Sequence, residues 1–152
     1  MKHMIAALCL GLAAFAPAQA QDATSSQRAY ARALATVTHD PPRDSRHPAR
    51  NQQLLIDSHG AKMNALFFLA AGAGPHPTML LLHGLPGNER NLDLAQAVRR
   101  AGWNVLTFTY RGAWGSEGDF SISNSLEDSR ANVKVITTLL ESAKVGKPVS
   151  FR

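Results

Sequence analysis

The residues best suited to chemistry lie in a short run that begins at His83. Residues 83–88 read His-Gly-Leu-Pro-Gly-Asn and directly follow the apolar stretch 79–82. In acyl transfer, negative charge develops on the carbonyl oxygen of the substrate, and backbone N–H groups already in place stabilise it. A glycine-bearing turn after a buried strand lets the backbone come close to a substrate. The run therefore has the residue types that an oxyanion-binding turn needs.

Each residue of this turn has an expected role. The N–H of Leu85 is the expected donor to the oxyanion, and the side chain of His83 is expected to be structural. Gly84, and again Gly87, are expected to give the turn its conformational freedom. The alternative interpretation is a tight strand-to-helix turn that binds no ligand, since such turns contain glycine in any case.

A second glycine-rich segment follows the next apolar run along the chain. It reads Tyr-Arg-Gly at residues 110–112 and Trp-Gly-Ser-Glu-Gly at residues 114–118. The latter has the outline of a Gly-x-Ser-x-Gly nucleophile turn, but Trp114 stands where the first glycine belongs, and the segment follows the wrong strand. Ser116 is therefore expected to form hydrogen bonds within the loop rather than to act as a nucleophile.

The acidic residues after this loop are expected to be structural. Asp119, Glu127 and Asp128 are predicted to face solvent or to cap a helix rather than to act in catalysis. An alternative for Asp128 is an ion pair with Arg111, which would brace the glycine loop.

No pattern for a metal or cofactor is present, so neither is expected. The histidines lack the i, i+4 spacing of a helical metal site, and Cys9 is the one cysteine. Gly72-x-Gly74 leads to prolines rather than to a helix, so it is not a dinucleotide-binding fingerprint. The sequence contains no phosphate-binding loop of the Gly-x-x-x-x-Gly-Lys type.

The spacing of apolar residues predicts the elements that position these motifs. They are a helix over 25–37, a Pro-rich connector over 38–50, strands over 53–58 and 65–70 joined as an antiparallel hairpin at His59-Gly60, a strand over 78–82, a helix over 92–101, a strand over 103–109 and a helix over 125–143. Strands that alternate with helices favour an α/β sandwich with a largely parallel sheet.

Two finer predictions concern how these elements are buried. The strand over 78–82 shows no alternation, which is typical of a central strand buried on both faces. The helices predicted over 92–101 and 125–143 each carry an apolar stripe that is expected to face the core. The stripe of the first consists of Leu92, Leu94, Ala95 and Val98, and the stripe of the second of Leu126, Val133, Ile136, Leu139 and Leu140.

The N-terminus has the layout of a secretory signal peptide. Lys2 and His3 precede an apolar run over 5–15, and Ala-Gln-Ala at 18–20 is a small-x-small cleavage site. The run is too short to span a bilayer, so we expect export to the periplasm or medium after cleavage near Ala20, without a stable membrane anchor. The expected organisation is a signal peptide over 1–20, a helix and connector over 21–51, and one folded domain over 52–152.

The composition fits such a domain and disfavours one class of partner. Hydrophobic residues make up 45% and charged residues 18% of the chain, which are globular values. The net charge is +5, but the basic residues are scattered and no aromatic residues interleave with them. This pattern favours a solvated surface over nucleic-acid binding.

The motifs and their order resemble the α/β-hydrolase superfamily. Residues 81–88 look like its oxyanion-hole turn, residues 101–112 like its next helix end and strand, and residues 115–118 like the glycine-rich loop that follows. The resemblance is greatest to bacterial dienelactone-hydrolase-like and prolyl-oligopeptidase-like members and spans roughly residues 52–145. It implies the N-terminal half of that fold, with the later strands missing.

The resemblance also implies an activity. It points to an exported serine hydrolase, an esterase that cleaves a small-molecule ester or amide through an acyl-enzyme. Its nucleophile, acid and histidine would follow in that chain order, and all three are expected beyond Arg152. The 152-residue chain alone is therefore expected to be inactive. The alternatives are a non-catalytic binding or interaction fragment, or a truncation without function; the sequence leaves the oligomeric state open.

Overall fold

The structure is a computed structural model that describes residues 18–84 and 90–144, with side chains described over 24–84 and 90–141. The chain divides into two compact units, residues 1–32 and residues 33–152. Within the described part, no helix is both long and apolar enough to cross a membrane.

Three helices and four strands make up the described part, in an order that the sequence predicted. They are α1 (Ala18–Thr38), β1 (Arg50–Ser58), β2 (Ala61–Leu69), β3 (Thr78–Leu81), α2 (Leu92–Arg100), β4 (Asn104–Phe108) and α3 (Ile122–Lys144). The helix expected over 25–37 begins earlier, at Ala18, and both hairpin strands are longer than expected.

The β1–β2 hairpin confirms its prediction. The strands pair antiparallel from Arg50 opposite Leu69 to Ser58 opposite Ala61. His59 and Gly60 form the two-residue loop with φ of 52° and 84°, and positive φ at both positions is what a two-residue hairpin turn with the native strand twist requires. The Gly60 N–H also donates to Asp57 Oδ1 at 3.2 Å, which secures the loop.

The four strands form one sheet in the order β1-β2-β4-β3. β2 pairs antiparallel with both β1 and β4, and β3 pairs parallel with β4. The prediction of a largely parallel sheet therefore needs correction for the described part, where the hairpin makes most of the pairing antiparallel. The prediction that β3 is a central strand buried on both faces is also wrong here, because β4 is its one partner and all four of its residues are half-buried.

Each face of the sheet carries its own apolar core. Under α3 the buried residues are Leu54, Ile56, Met63, Ala65, Phe67, Leu106, Phe108 and Tyr110. Under α2 they are Phe68, Ala95 and Val105. The alternation of side chains along β2 and β4 supplies both cores, as period-2 patterning requires.

The predicted core stripe of α3 is partly wrong. Ile136 and Leu139 pack against the core. Leu126, Val133 and Leu140 are instead 59%, 52% and 43% exposed. The face of α3 that meets the sheet carries Asp128 and Asn132, both 0% exposed. Because Asp128 and Asn132 are polar, counting apolar residues along α3 does not identify the face that packs against the sheet.

The predicted stripe of α2 is also partly wrong. Ala95 is buried and Val98 packs beside it, whereas Leu92 and Leu94 are exposed. The predicted end of the helix is confirmed: Gly102 has φ of 91° and donates its N–H to Arg99 O at 3.0 Å. This left-handed glycine after the last turn ends α2 before β4 starts.

Candidate functional site

The two glycine-bearing motifs meet at one edge of the sheet. Since β3 and β4 are parallel, their carboxyl ends lie at the same edge, with His83 after β3 and Tyr110 after β4. The two rings are in contact, with centroids 4.5 Å apart and planes at 58°. Both residues are only 7% exposed. Ligands of open α/β sheets bind outside the carboxyl ends of the strands, so this is the candidate site.

The His83 ring is fixed by one hydrogen bond. Its Nδ1 lies 2.9 Å from Gly84 O. Because a carbonyl oxygen only accepts, Nδ1 must carry the proton and donate. Nε2 is buried and has no hydrogen-bond partner within the described part of the chain.

Gly84 is not crowded by the described residues. Among them, a Cβ built on Gly84 would meet no atom within 4 Å, and the φ of Gly84 lies outside the left-handed range that favours glycine. The conformational freedom expected of Gly84 is therefore not needed for a positive φ. Leu85 and Gly87, the expected oxyanion donor and second turn glycine, lie outside the described residues, so their roles stay predictions.

Tyr110 belongs to an aromatic cluster that supports the His83 ring. Its ring meets Phe108 edge to face at 5.0 Å and Phe120 at 6.3 Å. Such pairs contribute about 0.5–1.5 kcal/mol beyond their buried area. The sequence motif included Tyr110, but its contact with His83 was not predicted. One usable signal was that both residues have rings and each directly follows an apolar strand.

Arg111 and Asp128 form a buried ion pair, as one of the two interpretations of Asp128 predicted. Arg111 Nε donates to Asp128 Oδ1 at 2.6 Å, and the Arg111 main-chain N–H donates to Asp128 Oδ2 at 3.0 Å. The expectation that Asp128 faces solvent is wrong, because α3 turns this carboxylate into the protein, where Arg111 and its own amide satisfy both oxygens.

A second carboxylate extends the pair toward the surface. Arg111 Nη2 donates to Glu127 Oε2 at 2.7 Å and to Asn124 O at 3.3 Å. This hydrogen bond lowers the pKa of Glu127 below its ordinary value and raises the pKa of Arg111. His59 Nε2 lies 3.5 Å from the same Glu127 oxygen, so the β1–β2 loop also reaches this network.

Gly112 begins the glycine-rich loop over residues 112–118 and bonds to the far end of that loop. Its φ is 73°, and its N–H donates to Glu117 O at 3.0 Å. A Cβ at Gly112 would lie 2.7 Å from Asp119 C and closer still to Phe120 N. Glycine is therefore required both by the backbone conformation and by the close approach of the loop.

Ser116 joins the loop to the sheet. Its Oγ accepts from the Asn64 N–H at 3.0 Å and donates to Thr109 O at 2.9 Å. Asn64 O in turn accepts from the Thr109 N–H at 2.8 Å, one step beyond the β2–β4 ladder. Hydrogen bonding within the loop was predicted for Ser116, and its main-chain N–H does donate to Ala113 O there at 2.9 Å, but its hydroxyl bonds to β2 and to the end of β4 instead.

Glu117 makes a contact that sequence analysis missed. Its Oε2 accepts from the Lys62 N–H at 2.8 Å, and its own N–H donates to Lys62 O at 2.9 Å. Lys62 lies far away in sequence, on β2, and no local pattern marks it as a partner. The described residues include no group of three or more His, Cys, Asp or Glu side chains that could hold a metal ion.

Several solved structures are similar to part of this chain. An α/β serine hydrolase homologue from Coxiella burnetii matches 56% of this chain and 44% of its own length, at 22% identity and a TM-score of 0.50. The thermophilic carboxylesterase EstE1 from a metagenomic library covers 76% of this chain and 38% of its own, at 18% identity and a TM-score of 0.46. The bacterial brefeldin A esterase covers 90% and 40%, at 19% identity and a TM-score of 0.47.

The match to the Coxiella burnetii homologue, together with the strand order and the two strand-end motifs, shows that this chain has part of an α/β-hydrolase fold. The chain spans less than half of the length of that homologue. No protein-family model and no curated protein matches the chain.

Proposed function

We propose that this chain is the N-terminal part of an exported serine hydrolase that cleaves small-molecule esters, and less readily amides, through an acyl-enzyme. The N–H of Leu85 would serve as one donor to the oxyanion. The proposal rests on fold, on motif order and on the geometry at the strand ends. The names of similar structures, among them a carboxylesterase and a brefeldin A esterase, are consistent with it.

One observation carries the proposal above the others. The run from His83 leaves the carboxyl end of β3 beside that of β4, and among the described residues no atom lies within 4 Å of a Cβ built on Gly84. From this position, the residues after Gly84 would present backbone N–H groups to a substrate. Preorganised donors of this kind stabilise the charge that develops in acyl transfer.

The chemistry also needs a nucleophile, an acid and a histidine that these 152 residues do not supply in the expected pattern. The sequence contains no Gly-x-Ser-x-Gly turn. The hydroxyl of Ser116 is engaged by Asn64 N and Thr109 O. We therefore propose that the 152-residue chain alone does not hydrolyse esters, and that the nucleophile lies in sequence downstream of Arg152.

The gene sequence after the Arg152 codon is the first test. We expect the frame to continue into a strand and a Gly-x-Ser-x-Gly turn. The whole product should then react with a fluorophosphonate probe and hydrolyse a nitrophenyl ester, whereas the 152-residue chain should do neither. A stop codon directly after Arg152 would contradict the proposed activity. Ester hydrolysis by the 152-residue chain would also contradict the proposal if it survives Ser116→Ala and is lost in Leu85→Pro.

Export is a separate part of the proposal. The composition of residues 1–20 supports it: a basic start, an apolar run and Ala-Gln-Ala at the end. N-terminal sequencing of the protein recovered from the periplasm or medium should find a new terminus near Gln21. A cell-associated product that retains Met1 would contradict export.

A further inference from the structure

The ring of His76 bridges two turns at the end of the sheet opposite the candidate site. Its Nδ1 lies 3.0 Å from Gly102 O, in the turn between α2 and β4. Its Nε2 lies 3.0 Å from Gly72 O, in the loop over residues 70–77 that joins β2 to β3. His76 precedes β3 by two residues and Gly102 precedes β4 by two, so the bridge lies where these two parallel strands begin.

Both partners of this half-buried ring are carbonyl oxygens, which determines its protonation state. A carbonyl oxygen only accepts hydrogen bonds, so each ring nitrogen must carry a proton in order to donate. A neutral imidazole has one N–H and can make one of the two bonds, whereas the imidazolium has two and makes both. In a neutral ring, the lone pair of one nitrogen would face a carbonyl oxygen at 3.0 Å. The arrangement is therefore that of a charged His76.

The two turns are held unequally by their other hydrogen bonds. The turn after α2 has three from the backbone, which Gly102, Trp103 and Asn104 donate to the carbonyl oxygens of Arg99, Val98 and Pro77. Among the described residues, the Gly72 backbone has one, from its N–H to His47 O at 3.0 Å. When His76 loses a proton, we therefore expect Nδ1 to keep its bond to Gly102 and Nε2 to give up its bond to Gly72.

The charged groups around the bridge do not bond to the ring. A cavity of about 310 Å³ beside Gly72 and Gly102 is lined by the charged residues Asp44, Arg99 and Arg100, and the connector also carries Asp40 and His47 close to them. Both arginines bond to Asp40, and the His47 ring lies 3.7 Å from Asp44. The loop over 70–77 contains no titratable residue besides His76. Within the described part of the chain, none of these charges forms an ion pair or hydrogen bond with His76.

We propose that His76 is a pH-sensitive latch. In acid its charged ring ties the β2–β3 loop to the turn after α2, and as pH rises through the range in which histidine changes charge, the ring releases Gly72. Because both bonds form only with the charged ring, the stability they contribute is present in acid and is lost as pH rises. This dependence has the opposite sign to that of a carboxylate such as Asp40, and it does not require hydrolase activity.

The protonation of the ring can be observed in the unaltered whole gene product. Long-range ¹H–¹⁵N correlation, with each ring assigned through its own Cβ, should show both nitrogens of His76 protonated at about pH 5. At about pH 8 it should show a protonated Nδ1 and an unprotonated Nε2. A ring that is already neutral at the lower pH would overturn the proposal, and so would a neutral ring that carries its proton on Nε2.

Hydrogen exchange measures the release of the loop. The protection factor of the Gly72 amide should fall roughly 3- to 10-fold between the lower and the higher pH, the effect of one lost hydrogen bond. The Gly102 amide, which donates to Arg99 O on the side that stays bonded, serves as the internal control and should keep its protection. Constant protection of Gly72 would contradict the latch, as would an equal loss at both amides.

Two variants assign the titrating group. His76→Gln is neutral at every pH and should remove the pH dependence of Gly72 protection. His47→Gln is the matched control, because it removes the neighbouring titrating ring but keeps the main-chain oxygen to which Gly72 bonds, and it should behave as wild type. Loss of the dependence in His47→Gln alone would assign the effect to His47 and overturn the proposal. If His76→Gln does not fold, the ring spectrum and the two amides of the wild type still decide.

Discussion

Arg111 and Asp128 meet through two hydrogen bonds of different kinds, one from a side chain and one from the backbone. The guanidinium Nε reaches Oδ1 at 2.6 Å, and the Arg111 amide reaches Oδ2 at 3.0 Å. The carboxylate on α3 therefore fixes the Arg111 side chain and the chain direction immediately after Tyr110. Arg111 lies between Tyr110, whose ring contacts His83, and Gly112, where the glycine-rich loop begins.

Asp128→Ala should strongly destabilise the protein. It removes the fully buried partner of Arg111 and leaves Glu127 as the remaining carboxylate, and breaking a buried pair in this way typically costs about 3–5 kcal/mol. Asp128→Asn should cost less, since the amide oxygen can still accept from the Arg111 N–H. Urea unfolding measures both. Glu127→Gln is the matched control, because Glu127 is half-exposed and should contribute much less. Equal losses for the Asp128 and Glu127 variants would contradict this account.

Gly112→Ala should cost more stability than Gly60→Ala. Both glycines have positive φ, 73° and 84°, so both variants bear the backbone penalty of roughly 1–2 kcal/mol. A Cβ at Gly60 meets nothing within 4 Å, whereas one at Gly112 collides with the backbone of Asp119 and Phe120. The collision should add roughly 1–3 kcal/mol. Thermal unfolding of the two variants measures the difference, and equal melting temperatures would show that the loop yields without cost.

Ser116→Ala should lower stability without touching activity. It leaves Asn64 N–H and Thr109 O without their shared partner, which at about 0.5–1.5 kcal/mol for each hydrogen bond amounts to roughly 1–3 kcal/mol. Ser125→Ala, which removes a hydroxyl bonded to Ile122 O within its own helix, is the control and should be close to neutral. Under the proposed function, hydrolysis by the whole gene product should survive Ser116→Ala, and its complete loss in a variant that stays folded would identify Ser116 as a reacting group.

Acid should weaken the contact between the connector and α2. The hydrogen bond from Arg100 Nε to Asp40 Oδ1 lowers the pKa of Asp40 below its ordinary 3.8. A carboxyl whose pKa is lowered by folding stabilises the protein above the unfolded value, and that contribution is lost as pH falls through the folded value. The difference in unfolding free energy between wild type and Asp40→Asn should thus be constant from pH 7 to about 5 and shrink below about pH 4. A difference that stays constant down to pH 2.5 would contradict the assigned cause.

Sequence patterning predicted the elements of this fold well and their burial less well. The strand-like runs at 53–58 and 65–70 and the His59-Gly60 turn between them identified the hairpin, because all of these are local signals. The apolar count on α3 failed at Asp128 and Asn132, since a polar residue at a core position is recognisable only when its distant partner is known. The position of β3 at the end of the order of the described strands was equally hard to predict, because sheet order is a property of the whole fold.

The features of the candidate site also divide into those that the sequence predicted and those that it did not. The residue types of the His83 run and the loop role of Ser116 followed from motif context. The His83–Tyr110 contact and the Glu117–Lys62 pair did not, because they join segments that only the β2–β4–β3 order brings together. The Arg111–Asp128 pair was proposed from charge alone, and the structure supplied the burial that makes it strong.

The strand order has a consequence for synthesis on the ribosome. β3 leaves the exit tunnel before β4, yet β4 is its pairing partner among the described strands and lies between β3 and the hairpin. At about 5–20 residues per second, the intervening stretch of about 25 residues takes roughly 1–5 seconds to translate. During that interval the β1–β2 hairpin can form within microseconds. The nascent β3 still lacks β4 as its pairing partner and is accessible to chaperones.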